Sequence, residues 1–142
     1  MELKIEKLDQ TEVLEILKTS DCQFSPPLST VVELEAYSLK LSSKAFFSIA
    51  TEGSDTCGVV AYYLNDSINQ IYIPYVFVYE PFRNRHLATR LIEYIIQSNK
   101  KYTSVALEVV KTNQAALNLY RNMHFEIKEN REHTYLMWLD LN

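Results

Sequence analysis

Glycine is nearly absent from this chain, since only Gly53 and Gly58 occur among its 142 residues. A P-loop and a dinucleotide-binding fingerprint each need several glycines within one short segment, so both are excluded. Cysteine is equally scarce, because Cys22 and Cys57 stand far apart without C-x-x-C spacing. The histidines, aspartates and glutamates also lack the spacing of metal ligands. We therefore expect no metal site, and thiols that suit a reduced, cytoplasmic protein, although a single Cys22–Cys57 disulfide stays open.

The sequence also lacks a long apolar run. No segment approaches the roughly 18 apolar residues that a membrane-spanning helix needs. The segment Met1–Glu6 lacks the apolar core of a signal peptide. Hydrophobic residues make up 47% of the chain, and its length suits one domain of about 100–150 residues. We predict a single domain over residues 1–142, in the cytoplasm and away from membranes.

The charge is unevenly distributed. The net charge of −4 argues against a nucleic-acid partner. Between Pro81 and Lys101, however, five basic residues face a single acidic one, a local net charge of +4. The residues concerned are Arg83, Arg85, Arg90, Lys100, Lys101 and Glu93. One basic segment in an acidic protein favours a small anionic ligand over a long polyanion.

Periodicity and capping signals predict the order β α α β β β α β α β β. The expected strands are Leu3–Lys7, Ala45–Thr51, Gly58–Leu64, Gln70–Val78, Ser104–Val109, Phe125–Glu129 and Thr134–Leu139. The expected helices run from a capping box at Asp9 and Glu12 through Lys18, from a second box at Thr30 and Glu33 through Leu41, from His86 to Ser98, and from Asn113 to Met123. Strand–helix–strand units imply parallel pairing and hairpins imply antiparallel pairing, so we predict an α/β fold with a mixed sheet. Pro74 cannot donate to a ladder, which predicts a bulge or a splayed edge in its strand.

The segment Val76–Arg90 carries most of the functional information. A predicted strand runs into a short basic loop, and the loop runs into a helix. Free N–H groups at a helix N-terminus, together with the helix dipole, form an anion site. Arginines in the loop would add charge-assisted hydrogen bonds to phosphate. The alternative is a solvated turn with ordinary surface arginines.

Two stretches of the sequence resemble the GNAT N-acetyltransferase superfamily in order and spacing. Arg83-Asn-Arg-His-Leu-Ala88 resembles the R/Q-x-x-G-x-G/A motif, whose loop amides wrap the pyrophosphate of CoA. Leu107-Glu-Val109, Asn113, Ala116, Leu119-Tyr120 and Phe125 resemble the L-E-V…N…A…LY…GF run that follows it. The resemblance implies an acyl-CoA N-acyltransferase fold of a small bacterial member, with a mixed, mostly antiparallel sheet of about seven strands, about four flanking helices and splayed central strands.

The resemblance also implies the residues that bind acetyl-CoA, the cosubstrate. These are Val76, Phe77, Val78, Arg83, Asn84, Arg85, His86, Leu87, Ala88, Thr89, Asn113, Ala116 and Tyr120. Tyr120 falls on the family's general acid, and Asn113 falls on a residue that contacts the pantetheine arm. Without the resemblance, Asn113 is a helix N-cap and Tyr120 a core aromatic residue.

Two histidines depart from the family pattern, both where a glycine is usual. His86 replaces the first glycine of the pyrophosphate loop, where a glycine lets the backbone approach a ligand closely. A histidine can still donate its backbone N–H there if its φ is ordinary, but its side chain must point outward. His124 replaces the glycine that ends the second motif helix, where we expect a positive φ. The loss of these two glycines suggests a second possibility, a module of the same fold that holds an acyl-CoA but does not catalyse transfer.

Direct transfer, as the resemblance implies, requires a neutral amine, donors for the developing oxyanion and a proton for the leaving thiolate. Glu108 is one candidate to deprotonate the amine, and the backbone N–H groups of Val76–Val78 are candidates for the oxyanion. The tyrosines of the central strands are core or acceptor-pocket residues; they are Tyr62, Tyr63, Tyr72, Tyr75 and Tyr79.

The acceptor itself is poorly specified by the sequence. Phe24–Ser29 and Tyr63–Asp66 resemble segments of bacterial GNATs found among surface-polysaccharide enzymes, which favours an amino sugar. A peptide N-terminus and a lysine side chain stay open, as does a partner-binding α/β domain without any ligand. We expect a monomer or homodimer that binds acetyl-CoA and an amine.

Overall fold

Strands and helices follow one another in the predicted order, and the computed structural model describes all 142 residues. The strands are β1 (Glu2–Glu6), β2 (Phe46–Glu52), β3 (Asp55–Asn65), β4 (Gln70–Val78), β5 (Ser104–Val110), β6 (Glu126–Asn130) and β7 (Thr134–Asp140). The α-helices are α1 (Gln10–Ser20), α2 (Leu34–Lys44), α3 (Leu87–Ser98) and α4 (Gln114–Asn122). None of these helices has the length and apolar character that crossing a bilayer requires.

All seven strands join one sheet in the order β1-β2-β3-β4-β5-β7-β6. Only β4 and β5 pair in parallel, and every other neighbouring pair is antiparallel. Helix α3 connects these two parallel strands, as a β-α-β unit requires. The predicted mixed, mostly antiparallel sheet is therefore confirmed.

The parallel ladder stops halfway along β4. Residues 70–73 pair with residues 104–107 of β5, whereas the pairing of β4 with β3 continues to Val78. At the point of divergence, Ile73 and Pro74 lie opposite the single residue Tyr62 of β3, which is a bulge. The prediction of a bulge and a splayed strand at Pro74 is confirmed, and residues 74–78 have an unpaired edge toward β5.

The two faces of the sheet carry separate hydrophobic cores. One core packs α3 and α4 on the sheet, and the other packs α1 and α2 on the opposite face. Gly58 of β3 lets α3 approach closely, because a Cβ there would lie 3.1 Å from Cδ1 of Leu91 and 3.2 Å from Cδ2 of Leu87. The position of the α3 N-terminus over the sheet therefore depends on this small residue.

The sequence predicted the cap of α1 correctly but predicted the cap of α2 wrongly. Asp9 and Glu12 form the predicted capping box of α1. The predicted box of Thr30 and Glu33 is wrong, because α2 begins at Leu34 and Glu33 alone caps it by accepting from the Ala36 N–H. The Thr30 hydroxyl donates instead to the Pro27 carbonyl within a 3₁₀ turn, so it cannot cap a helix.

Candidate functional site

A cleft of about 670 Å³ opens along the unpaired edge of β4. Eleven of the thirteen predicted CoA-binding residues line it. They are Val76, Phe77, Val78, Arg83, Asn84, His86, Leu87, Ala88, Asn113, Ala116 and Tyr120. The fold thus brings the end of β4, the loop before α3 and one side of α4 together in space, although up to 44 residues separate them along the chain.

Arg85 and Thr89 are the two predicted residues that do not line the cleft. The Arg85 guanidinium lies 5.7 Å from the ring centre of Phe82, which does line it. Arg85 makes no ion pair within the chain, so its charge at this rim is free for a ligand. Thr89 follows Ala88 in the first turn of α3.

The start of α3 has the geometry of an anion site. The backbone N–H groups of residues 84–89 donate to no other backbone group, and Arg90 makes the first helical bond, to the His86 carbonyl at 3.1 Å. His86 is the N-cap with φ 57°, and Asn84 has φ 64°. These orphan N–H groups and the helix dipole favour a negatively charged ligand.

His86, which stands at a glycine position of the family pattern, does not have an ordinary φ. His86 adopts the left-handed conformation that glycine adopts freely, which costs a non-glycine residue about 1–2 kcal/mol. Asn84 also has a positive φ, and together the two residues turn the chain abruptly into α3. The backbone geometry of a glycine is therefore retained at His86.

Arg83 has a structural role that its motif position did not reveal. Its Nε donates to the Val78 carbonyl at 2.9 Å, and one terminal nitrogen donates to Oε1 of Gln23 at 3.1 Å. The guanidinium also lies 5.6 Å from the ring centre of Phe77. Arg83 thus ties the loop before α3 to the end of β4 and to the segment after α1.

Helix α4 presents Asn113 and Tyr120 to the cleft and is held at both ends. Oδ1 of Asn113 accepts from the Ala116 N–H at 3.1 Å, which confirms the N-cap and leaves the Asn113 amide nitrogen free. At the other end, His124 has φ 74°, as predicted. The N–H groups of His124 and Phe125 donate to the carbonyls of Arg121 and Tyr120, which is a Schellman motif.

Tyr120 is buried against the core yet faces the cleft. Its residue is 6% exposed, and its ring centre lies 5.6 Å from that of Phe125, the hydrophobic contact typical of a Schellman motif. Burial raises the pKa of Tyr120 to about 12, and no hydrogen bond opposes this shift. The hydroxyl therefore carries its proton throughout the neutral range and can donate it to a ligand in the cleft.

Glu108 is the first residue of β5 beyond the ladder with β4. One of its carboxylate oxygens accepts from Arg131 and from the Thr134 hydroxyl, each at 2.8 Å. The bond to Arg131 lowers the pKa of Glu108, which makes this carboxylate a weaker base. Glu108 does not line the cleft, and it joins β5 to the β6–β7 hairpin.

The tyrosines of the central strands stay outside the cleft. Tyr75 is buried and its hydroxyl lies 2.7 Å from that of Ser20. Tyr63 and Tyr72 stack with ring centres 6.5 Å apart. These residues pack the sheet and its helices, as strand aromatics commonly do.

Five cleft residues were not predicted: Gln23, Phe24, Phe82, Ala115 and Leu119. Gln23 and Phe24 lie on the segment between α1 and α2, more than 50 residues before the motif. The ring of Phe24 lies 5.7 Å from the rings of both Tyr75 and Phe77, which brings this segment over β4. Leu119 belongs to the Leu119-Tyr120 part of the motif but was not predicted to bind CoA, and Ala115 had only its position beside Ala116 as a signal.

A model of the acetyltransferase (GNAT) family matches residues 11–125. Among solved structures, the chain is similar to the Escherichia coli ribosomal-protein-S18-alanine N-acetyltransferase, with 17% identity, TM-score 0.76 and coverage of 99% of this chain and 95% of the other. It is also similar to Arabidopsis thaliana NAA60, with 19% identity, TM-score 0.76 and 99% coverage of both chains. A third is the PaiA N-acetyltransferase of Thermoplasma acidophilum, with 12% identity, TM-score 0.74 and 99% coverage of both chains. No curated protein matches the sequence.

Proposed function

The chain belongs to the acetyltransferase (GNAT) family, and we propose that it transfers an acetyl group from acetyl-CoA directly to a primary amine. The observation that carries this proposal is the single cleft in which three elements meet. These are the free N–H groups at the start of α3, the unpaired edge of β4 and the Tyr120 hydroxyl. A pyrophosphate, an acyl carbonyl and a leaving thiolate need these three partners respectively.

The first step of the proposed reaction is attack by the neutral amine on the thioester carbonyl carbon. The nitrogen lone pair forms the new C–N bond while the carbonyl π electrons move onto oxygen. The backbone N–H groups of Val76 and Val78 point to the unpaired edge, because the antiparallel ladder turns the alternate N–H group, that of Phe77, toward β3, and these two are placed to stabilise that oxygen. Glu108 is ion-paired outside the cleft, so the proton of the amine passes to water rather than to this carboxylate.

The second step is collapse of the tetrahedral centre. The C=O bond re-forms, the C–S bond breaks, and the sulfur leaves with the bonding electrons. Tyr120 donates its proton to this thiolate and is reprotonated from solvent. A proton donor is useful here because the sulfur leaves with a negative charge, and the Tyr120 phenol carries its proton at neutral pH.

Solved structures of the same fold support coenzyme A as the ligand class. The Thermoplasma acidophilum PaiA N-acetyltransferase is a complex with coenzyme A, and Arabidopsis thaliana NAA60 is a complex with a bisubstrate analogue. The possibility of an inactive module came from the two histidines at glycine positions. Both histidines adopt the positive φ of glycine, so the backbone of the site is intact and catalysis is the favoured function.

Calorimetry with CoA and a thiol-release assay with acetyl-CoA test the proposal together. We expect CoA to bind and to raise the melting temperature, because a ligand that binds only the folded state stabilises it. A panel of primary amines should include at least one that releases thiol above the rate without amine. Binding without any turnover would support the inactive module, and the absence of binding would reject the cleft as a CoA site.

A further inference from the structure

A second cleft of about 590 Å³ adjoins the first. Gln23, Phe24 and Asn113 line both clefts, so the two are direct neighbours. One wall of the second cleft is the segment 23–31 between α1 and α2. The other wall runs from Val110, the last residue of β5, to Gln114, the first residue of α4.

No ionisable side chain lines the second cleft. Its polar groups are amides and hydroxyls, and several have no partner in the chain. The hydroxyls of Ser25 and Thr112 and the amide of Gln114 make no hydrogen bond, and the amide nitrogen of Gln23 is also free. Unpaired amide and hydroxyl groups complement the N–H and C=O groups of a peptide backbone.

The apolar part of the lining is the segment between the helices and the end of β5. Leu28 and Val31 lie on or beside the 3₁₀ turn before α2, and Val110 faces them from β5. Val31 is 67% exposed, the largest value among the exposed large hydrophobic residues of the chain. Val31 and Leu28 together thus give this cleft an apolar surface that an apolar side chain of a ligand can cover.

We propose that the second cleft binds the acceptor, and that the acceptor is the N-terminus of a peptide whose first side chain is uncharged and apolar. This inference rests on the proposed function of the first cleft. A volume of about 590 Å³ lies in the range of roughly 300–1,000 Å³ that holds ligands larger than one sugar ring. The free amides would bind the peptide backbone, and Leu28, Val31 and Val110 would cover the first side chain.

Other amines fit this lining less well. A hexosamine matches the polar groups but has no aliphatic chain to cover Leu28 and Val31. A polyamine would bring further positive charge to a lining without a carboxylate, and an unpaired charge is costly to desolvate. A lysine side chain brings one amine only, but its pKa of about 10.4 leaves little of that amine neutral. The peptide N-terminus also has a lower pKa, about 7.7–8.0, so more of it is neutral and ready to attack.

Phe24 marks the passage between the two clefts. Its ring contacts Phe77, which lines the first cleft at the unpaired edge of β4. An N-terminal nitrogen that passes Phe24 therefore arrives beside the edge where the acyl carbonyl is placed. The two clefts would hold one substrate each, with the reacting atoms between them.

Bisubstrate conjugates test the inference with a binding readout that does not depend on turnover. The probe is CoA joined through its sulfur and an acetyl bridge to the N-terminal nitrogen of the tripeptide Ala-Ala-Ala. Calorimetry should give a dissociation constant at least tenfold below that of CoA alone. Conjugates of glucosamine and of spermidine, built with the same bridge, should gain less than threefold over CoA.

Two pairs of variants localise the effect. Gln114→Trp fills the second cleft and should remove most of the tenfold gain while leaving CoA binding unchanged. Asn118→Trp is its matched control, because Asn118 is exposed one turn along α4 and lines neither cleft. Val31→Asp should reduce the gain at least threefold, whereas Leu39→Asp, also at an exposed apolar residue, should not.

The outcomes separate the two proposals. If CoA alone fails to bind, both the proposed function and this inference are wrong. If CoA binds but the peptide conjugate is no tighter, or if the Asn118→Trp and Gln114→Trp variants lose the gain equally, only this inference is overturned. A glucosamine or spermidine conjugate that binds tighter than the peptide conjugate would likewise replace the peptide with that class of acceptor.

Discussion

The two halves of β4 differ in what their edges do. From Gln70 to Ile73 the strand pairs with β5, and its polar side chain Gln70 donates to Ser104 at 3.1 Å. From Pro74 to Val78 the same strand has no partner on that side, and residues 76–78 line the cleft. The bulge between the halves also reverses the strand's faces, because Ile71 and Ile73 pack toward α3 whereas Tyr75 and Phe77 pack toward α1 and α2.

This difference teaches how one strand can serve both the core and the site. The paired half satisfies its backbone groups within the sheet, so it contributes stability and nothing to a ligand. The open half leaves an edge that the fold does not pair, and α4 holds Tyr120 near it through the Schellman motif. We therefore expect substitutions in the paired half to change stability and those around the open half to change function.

The largest effect should come from Tyr120→Phe, at the open half. Loss of the hydroxyl removes the general acid and should lower kcat 10²–10⁴-fold with little change in the KM for acetyl-CoA. Tyr62→Phe is the matched control, because Tyr62 is 2% exposed and lines neither cleft. Steady-state kinetics and melting curves on both variants decide the matter. A kcat within threefold of wild type, at unchanged stability, would show Tyr120 to be a packing residue only.

A comparison of the variants Ile73→Ala and Val76→Ala tests the two halves of β4 directly. Ile73 is 3% exposed in the paired half, so its truncation should cost about 2–5 kcal/mol of unfolding free energy. Val76 is half-buried and lines the cleft, so Val76→Ala should cost less stability and weaken CoA binding instead. Urea unfolding and calorimetry measure both quantities. Equal stability losses, with CoA affinity intact in both variants, would remove the functional distinction between the halves.

The pH dependence of stability should also depend on Tyr120. Its pKa is about 12 in the folded protein and about 10 when unfolded, so the unfolded chain releases the proton first. Stability contributed by the neutral phenol is present below pH 10 and falls as the pH rises toward 12, by up to roughly 3 kcal/mol. Urea unfolding between pH 9 and 11 should show a smaller loss in Tyr120→Phe than in wild type. The same slope in both proteins would contradict the burial of this hydroxyl.

Arg85→Ala should weaken CoA binding about tenfold, which corresponds to about 1.4 kcal/mol, because the free guanidinium at the rim is lost. Arg90→Ala removes another exposed charge, one that lies 3.9 Å from the Met1 sulfur and does not line the cleft, and it should leave affinity within twofold. Arg83→Ala should lower stability as well, since Arg83 holds Val78 and Gln23. Calorimetry and melting curves report these effects, and unchanged CoA affinity in Arg85→Ala would move the phosphate contact away from this side chain.

The smallest effect should follow His86→Gly and His124→Gly. Each change relieves a positive φ that costs histidine about 1–2 kcal/mol but adds freedom to the unfolded chain, for a net stabilisation of about 0.5–1 kcal/mol. CoA affinity should stay equal or rise in His86→Gly and stay unchanged in His124→Gly. Weaker CoA binding in His86→Gly would show instead that the imidazole contacts the ligand.

Local signals allowed much of the fold to be predicted. Capping of α1 by Asp9 and Glu12, the bulge at Pro74 and the positive φ of His124 each depend on a few neighbouring residues. The wrong prediction at Thr30 also concerns a local contact. The Thr30 hydroxyl was expected to cap a helix that follows it, but it donates to the Pro27 carbonyl, three residues earlier. At His86 the rigid entry into α3 outweighed the intrinsic preference of histidine for a negative φ.

The sequence by itself determined the order of the elements, the basic loop at the start of α3 and the alignment of Asn113 with Tyr120 on one side of α4. Only the tertiary structure decided that Gln23 and Phe24 complete the site, that Arg83 is tied to Gln23 across 60 residues, and that a second cleft adjoins the first. The physical reason is the range, along the chain, of the interactions involved. Helix caps, turns and periodic faces are set by interactions within a few residues, whereas packing of the segment between α1 and α2 over β4 depends on the whole sheet and its two cores.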